Sequence, residues 1–120
     1  MNTVEKLKEN YEFRRAYARG KAYVTPFFVI YITKNRKNAI RLGITTGKKI
    51  GKAVSRNRAR RVITAAFRQT VPFLMPGYDF VIVARTRILA IKSTTAAEIM
   101  KKQLQAAGVW MIHETDQTGQ

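Results

Sequence analysis

The chain has 120 residues, 46% of them hydrophobic, and a formal net charge of +16, which describes one folded domain with a modest core and excludes a basic disordered tail. It has no cysteine, so neither a disulfide framework nor a thiolate zinc site is available; no apolar run is of membrane length, and neither a membrane span nor a signal peptide is expected. Between Phe13 and Tyr78 sixteen lysines and arginines face no acidic residue; such a field costs self-repulsion unless a polyanion offsets it, and nucleic acid, ahead of an acidic membrane surface, is the polyanion to expect.

In chain order, Asn10 can cap a short helix with Phe13 and Tyr17 one turn apart on one face, and Gly20 stops it. An extended piece is expected around Ala22 to Thr25. Pro26 to Thr33, "PFFVIYIT", is β-branched and aromatic and predicts a strand. After the polar turn "KNRKN", Ile40, Leu42 and Ile44 alternate with Arg41, Gly43 and Thr45, a second strand with one face on the core. These two strands are expected to form a hairpin. Ala59, Val62, Ile63, Ala66 and Phe67 then fall at helical spacing, predicting a helix that starts at Ser55 or Arg56 and ends soon after Thr70, ahead of Pro72. Pro76–Gly77 signals a turn, Tyr78 to Ala84 a strand, and Ser93 to Ala107 a last helix opened by a capping box from Thr95 to Glu98 and stopped by Gly108. The order α-β-β-β-α-β-α describes an α+β fold with one mixed sheet, whose strand order and crossover handedness the periodicity leaves open. One domain is expected over residues 1–112, with a flexible tail over 113–120 in which His113 is an ordinary exposed histidine.

The middle helix carries the chemistry. With its apolar stripe centred on Ala59 and Ala66, the far side presents Asn57, Arg61, Thr64 and Arg68 along one ridge. Arg58 and Arg60 flank that ridge, and Arg56 lies nearer the apolar border. A merely solvated helix interleaves Glu with its cations; this one has no carboxylate. Arginine offers a planar fork for phosphate and a face that stacks on bases, and Asn57 can either meet phosphate or cap the helix. Upstream, "TTGKKIGKAV" places Lys48, Lys49 and Lys52 among glycines that let backbone approach an anion, or that simply make a flexible connection; it lacks the spacing of a phosphate-binding loop.

The run "RLGITTGKKIGKAVSRNRARRVITAAFR", Arg41 to Arg68, resembles the signature of the protein subunit of bacterial ribonuclease P. Arg56–Asn57–Arg58 matches its R-N-R hallmark, preceded by Lys48, Lys49, Gly51, Ala53 and Val54. The resemblance extends to "YEFRRAYARGK", "FFVIY" and "YDFVIVAR". Two departures stand out: Thr64–Ala65 replaces a charged pair, and Ile44–Thr45–Thr46–Gly47 replaces the usual Ser-Val-Ser.

The resemblance implies a two-layer α/β sandwich like the second domain of ribosomal protein S5, with a left-handed βαβ crossover carrying R-N-R. It implies a cytoplasmic ribonucleoprotein that hydrolyses precursor tRNA to release the 5′ leader, one protein per RNA, with the catalytic centre and its Mg²⁺ held by the RNA subunit. The protein would bind that RNA and hold the leader in a cleft. RNA contacts are expected from Arg41, Lys48, Lys49, Lys52, Arg56, Asn57, Arg58, Arg60, Arg61 and Arg68. Phe13, Tyr17, Phe27 and Tyr31 can line the leader cleft with Arg41 and Arg85, since aromatic faces beside cations suit a single strand; core packing is the other reading of these rings. The scattered acids do not make a nuclease centre or a metal site in the protein itself. The competing reading is a ribosomal or RNA-chaperone-like protein using the same basic face.

Overall fold

The computed structural model describes residues 3–111, so the expected tail and His113 lie outside the described residues. The elements are β1 (Val4–Lys6), α1 (Asn10–Arg19), β2 (Lys21–Val24), β3 (Phe28–Lys34), β4 (Ile40–Thr45), α2 (Ala53–Thr70), β5 (Tyr78–Ala84) and α3 (Ser93–Ala106), with short 3-10 turns at Lys48–Ile50, Val71–Phe73 and Thr86–Ala90. The predicted order is kept, with one strand added ahead of it. β1 escapes the sequence reading because its three residues are all exposed and carry no alternation.

The five strands run in the order β1-β4-β5-β3-β2. β1 and β5 pair in parallel with the two edges of β4, while β3 runs antiparallel to both β5 and β2. The expected hairpin between the second and third expected strands therefore does not form. The hairpin is β2–β3, and β5 inserts between β3 and β4. Its residues are buried on both faces, as a central strand requires, and alternation in β3 and β4 says which face is buried but not which strand lies alongside. The turn before β5 is held in the gap: Asn35 N–H donates to the Gly77 carbonyl (2.8 Å) and Gly77 N–H to that of Ala39 (3.0 Å).

Helix ends also differ from expectation. Glu9, not Asn10, takes the N-cap of α1, and Glu12 Oε1 accepts the N–H groups of Lys8 and Glu9 at 3.1 Å. α2 begins at Ala53, ahead of Ser55, because Gly51, at φ 134°, turns the chain abruptly out of the Lys48–Ile50 turn; that φ strains any residue with a Cβ. α3 starts at Ser93 behind Lys92, which leaves Thr95 and Glu98 within the first turns rather than as a capping box.

α2 and α3 form the helical layer on one face of the sheet. Ala59, Ile63, Ala66 and Phe67 of α2 pack with Phe28 and Ile30 of β3, Phe80 and Ile82 of β5, and Met100 and Leu104 of α3. Each large side chain so buried contributes roughly 1.5–3 kcal/mol. The opposite face is covered only in part, by α1: Leu7, Ala16 and Val81 make a small second cluster with Phe13, Tyr31 and Val83 against it. Gly43 permits this approach, since a Cβ there would lie 2.6 Å from the Phe13 ring.

Candidate nucleic-acid interface

Of the ridge the helical wheel draws on α2, Asn57, Arg61 and Arg68 are exposed as expected, whereas Thr64 is half-buried and faces a cavity shared with Leu42 and Ile44 of β4; the cations divide by how they are held. Arg56 donates to the Gly51 carbonyl (2.8 Å), closing the helix start on the preceding turn. Arg60 reaches back to β4, donating to the Ile44 carbonyl and to Thr46 Oγ1, both at 3.1 Å. These bonds fix the guanidinium groups while leaving other N–H donors for a ligand. Lys48, Lys49, Lys52, Asn57, Arg58, Arg61 and Arg68 are exposed. Every ion pair among the described residues involves Asp79 or Glu12, so no carboxylate neutralises this surface.

Arg41 is a correction. It is 5% exposed, and its guanidinium lies inside a network that joins α1, β4 and β5. Nε and Nη2 donate to the two oxygens of Asp79 at 2.7 and 2.8 Å, and Nη1 donates to Glu12 Oε2 at 2.7 Å. Asn35 Nδ2 adds a 2.7 Å bond to Asp79, and Arg15 stands 3.5 Å from it. With three donors committed to buried carboxylates, Arg41 is built into the fold rather than presented on the cationic surface. Burial opposes ionisation of Asp79, but the Arg41 and Asn35 hydrogen bonds and the Arg41 charge outweigh it and keep the pKa below the usual carboxylate range. Glu12 is likewise lowered: burial is overcome by the backbone bonds from Glu9 and Lys8 and by Arg41. The Asp79 hydrogen bonds raise Arg41 despite its burial. The sequence signal was Asp79 itself, a charge in an otherwise apolar central strand, which demands a partner.

The aromatic residues separate into two places. Tyr17 and Tyr31 meet edge to face, centroids 5.0 Å apart, and Tyr17 Oη shares a 3.0 Å hydrogen bond with Thr45 Oγ1. Tyr17 remains 41% exposed, so the pair borders the part of the sheet that α1 leaves uncovered. Beside it is a hollow of about 580 Å³ floored by Thr45 and Val83 and edged by Lys48, Lys49 and Arg85. Phe13 belongs to packing under α1, over Gly43. Phe27 is not beside the tyrosines: it packs against the main core, with the Arg87 guanidinium 5.5 Å from its ring. Arg85 is tied near it by a 3.2 Å bond to the Thr25 carbonyl. Thr45 and Val83 were missed because a short hydroxyl and an alternating valine carry no binding signal in sequence.

Among the described residues no group of three His, Cys, Asp or Glu could hold a metal ion. Glu12 and Asp79, the buried carboxylates, are committed to Arg41, so this donor set does not fit Mg²⁺. No helix among the described residues is long and apolar enough to cross a membrane. Fold and surface together define an α+β protein with an unneutralised cationic face and a partly covered sheet.

Comparison with known proteins sharpens that class. The family model described as Ribonuclease P matches residues 1–108. A ribonuclease P protein component from Clostridioides difficile is 41% identical over 83% of this chain and 86% of its own length; one from Clostridium beijerinckii is 34% identical over 96% and 98%. The RNase P protein structure from Staphylococcus aureus superposes with a TM-score of 0.78 at 28% identity, covering 90% of this chain and 99% of that one. The Thermotoga maritima RNase P protein gives 0.73 at 26% identity over 84% and 96%. The chain belongs to the ribonuclease P protein family.

Proposed function

We propose that the chain is the non-catalytic protein subunit of ribonuclease P, the ribonucleoprotein that removes the 5′ leader from precursor tRNA in the cytoplasm, with one protein bound per RNA. The observation that carries the reading is the unneutralised cationic face from Lys48 to Arg68 beside an open, aromatic-edged stretch of sheet. The first suits a structured RNA, because arginine forks and lysine charges match backbone phosphates without reading sequence. The second suits a single strand, whose bases stack on Tyr17 and Tyr31 while Lys48, Lys49 and Arg85 meet its phosphates. On this reading the RNA subunit supplies the reacting centre and holds Mg²⁺, and the protein orients leader and RNA toward each other. The family match removes support from a ribosomal or chaperone-like role.

The test is cleavage of precursor tRNA at low Mg²⁺ by RNA subunit alone, protein alone and both together. Cleavage only by the pair, or far faster by the pair than by the RNA, is expected. Cleavage by protein alone would contradict the assignment of chemistry to the RNA.

A further inference from the structure

A second cavity of about 580 Å³ opens at the outer edge of β4, lined among others by Leu42, Ile44, Thr64, Phe67 and Arg68. Its origin is the brevity of β1, which pairs with β4 only as far as Leu42, while β4 runs on to Thr45. Beyond Lys6 the sheet edge is therefore not covered by a strand, and α2 stands across the gap. Leu7 closes one end, with its N–H on the Leu42 carbonyl at 3.0 Å.

The lining has two chemistries. Leu7, Phe13, Leu42, Ile44 and Phe67 make apolar walls, whereas Lys6, Lys8, Arg60 and Arg68 supply the cations, with no carboxylate among the lining residues. Arg60 is held there by its bonds to the Ile44 carbonyl and Thr46. The half-buried Thr64 stands one turn from both Arg60 and Arg68, and its short side chain leaves the space between α2 and β4 open. Apolar walls call for a flat, weakly hydrated body, and the cations call for an anion attached to it. The volume lies within the roughly 300–1,000 Å³ of small-ligand sites.

We propose that this cavity takes one nucleotide extruded from the RNA bound to α2, its base against the half-buried Leu42 and Ile44 and its phosphate on Arg60 and Arg68. The proposal rests on the RNA-subunit reading and adds a place where the protein grips a base as well as the backbone. It is separate from the hollow floored by Thr45 and Val83, which lies between the Lys48–Lys49 turn and the end of β5. Burial of an unpaired base against aliphatic side chains requires no particular base.

The probes are adenosine 5′-monophosphate and inorganic phosphate, titrated into the full chain while methyl resonances of Leu7, Leu42, Ile44 and Thr64 are followed. The nucleotide should shift these methyls in a saturable way, and inorganic phosphate should leave them in place. Thr64→Leu fills the mouth without altering charge and should weaken nucleotide binding at least tenfold, whereas Thr64→Ser should retain it. Undisplaced methyls, equal shifts from inorganic phosphate, or full binding by Thr64→Leu would overturn the proposal. Shifts that follow protein concentration alone would likewise overturn it, in favour of a second copy of the chain. Precursor-tRNA cleavage by the reconstituted wild-type pair checks the parent reading separately, so the two can fail independently.

Discussion

Asp79 sits 1% exposed at the second position of β5, and the Arg41 fork closes on both its oxygens while Glu12 brings α1 to the same guanidinium. Breaking one member of such a buried set leaves the others desolvated and unpaired, a loss of about 3–5 kcal/mol. Asp79→Asn or Arg41→Ala should therefore lower the unfolding free energy by that amount, read as a lower urea midpoint with little change in slope; an unchanged midpoint would mean that water already reaches the site. The pH dependence follows from the direction of the shifts. Glu12 and Asp79 are both depressed from ordinary values of 4.5 and 3.8, so their contribution is complete above the unfolded values. It is lost as pH falls through the lower folded ones. Urea midpoints should hold from neutrality to about pH 5 and drop below pH 4, and Asp79→Asn should flatten that drop. None of this was legible from spacing: Glu12 and Arg41 are 29 residues apart, Arg41 and Asp79 38, and only the fold makes them neighbours.

Among the elements, α2 was the most legible, because its buried stripe at 3.6 residues per turn fixes which side the arginines must take. Ala59, Ile63, Ala66 and Phe67 are buried as the spacing requires. Its start was not legible, since Lys52 caps without a side-chain bond and the positive φ at Gly51 is a property of the turn. Apart from β1, the strands were legible too, β3 from its β-branched and aromatic composition and β4 from alternation, but neighbours were not: nothing in β3 or β4 announces that β5 will part them. The element's role is testable through salt. Arg58→Ala or Arg61→Ala should each weaken binding to the RNA subunit and reduce the log–log salt slope by about one unit, the mark of one lost phosphate contact. Arg56→Ala should also loosen the helix start, because its bond to the Gly51 carbonyl is lost with the charge. An unchanged slope for Arg58 and Arg61 would leave them as solvated cations.

At the scale of the molecule, α1 is a partial cover, clamped at one end by Glu12 on Arg41 and at the other by Tyr17 on Thr45. Its placement decides how much of the sheet stays open and sets Tyr17 against Tyr31. A leader lying there would touch both rings, whereas the body of mature tRNA would not. Tyr31→Ala should therefore weaken binding of precursor with a leader, by roughly 1–3 kcal/mol if one base stacks on it, and leave mature tRNA affinity in place. Tyr31→Phe should keep most of the stacking. Tyr17→Phe should lose the Thr45 hydrogen bond and with it part of the alignment of α1, while keeping a ring for the strand to stack on. The comparison to make is precursor against mature tRNA on the reconstituted ribonucleoprotein, for all three variants at one salt concentration. Equal losses for both ligands would assign the tyrosines to holding α1 on the sheet. A loss confined to the precursor would show that the face α1 leaves open is where the leader runs.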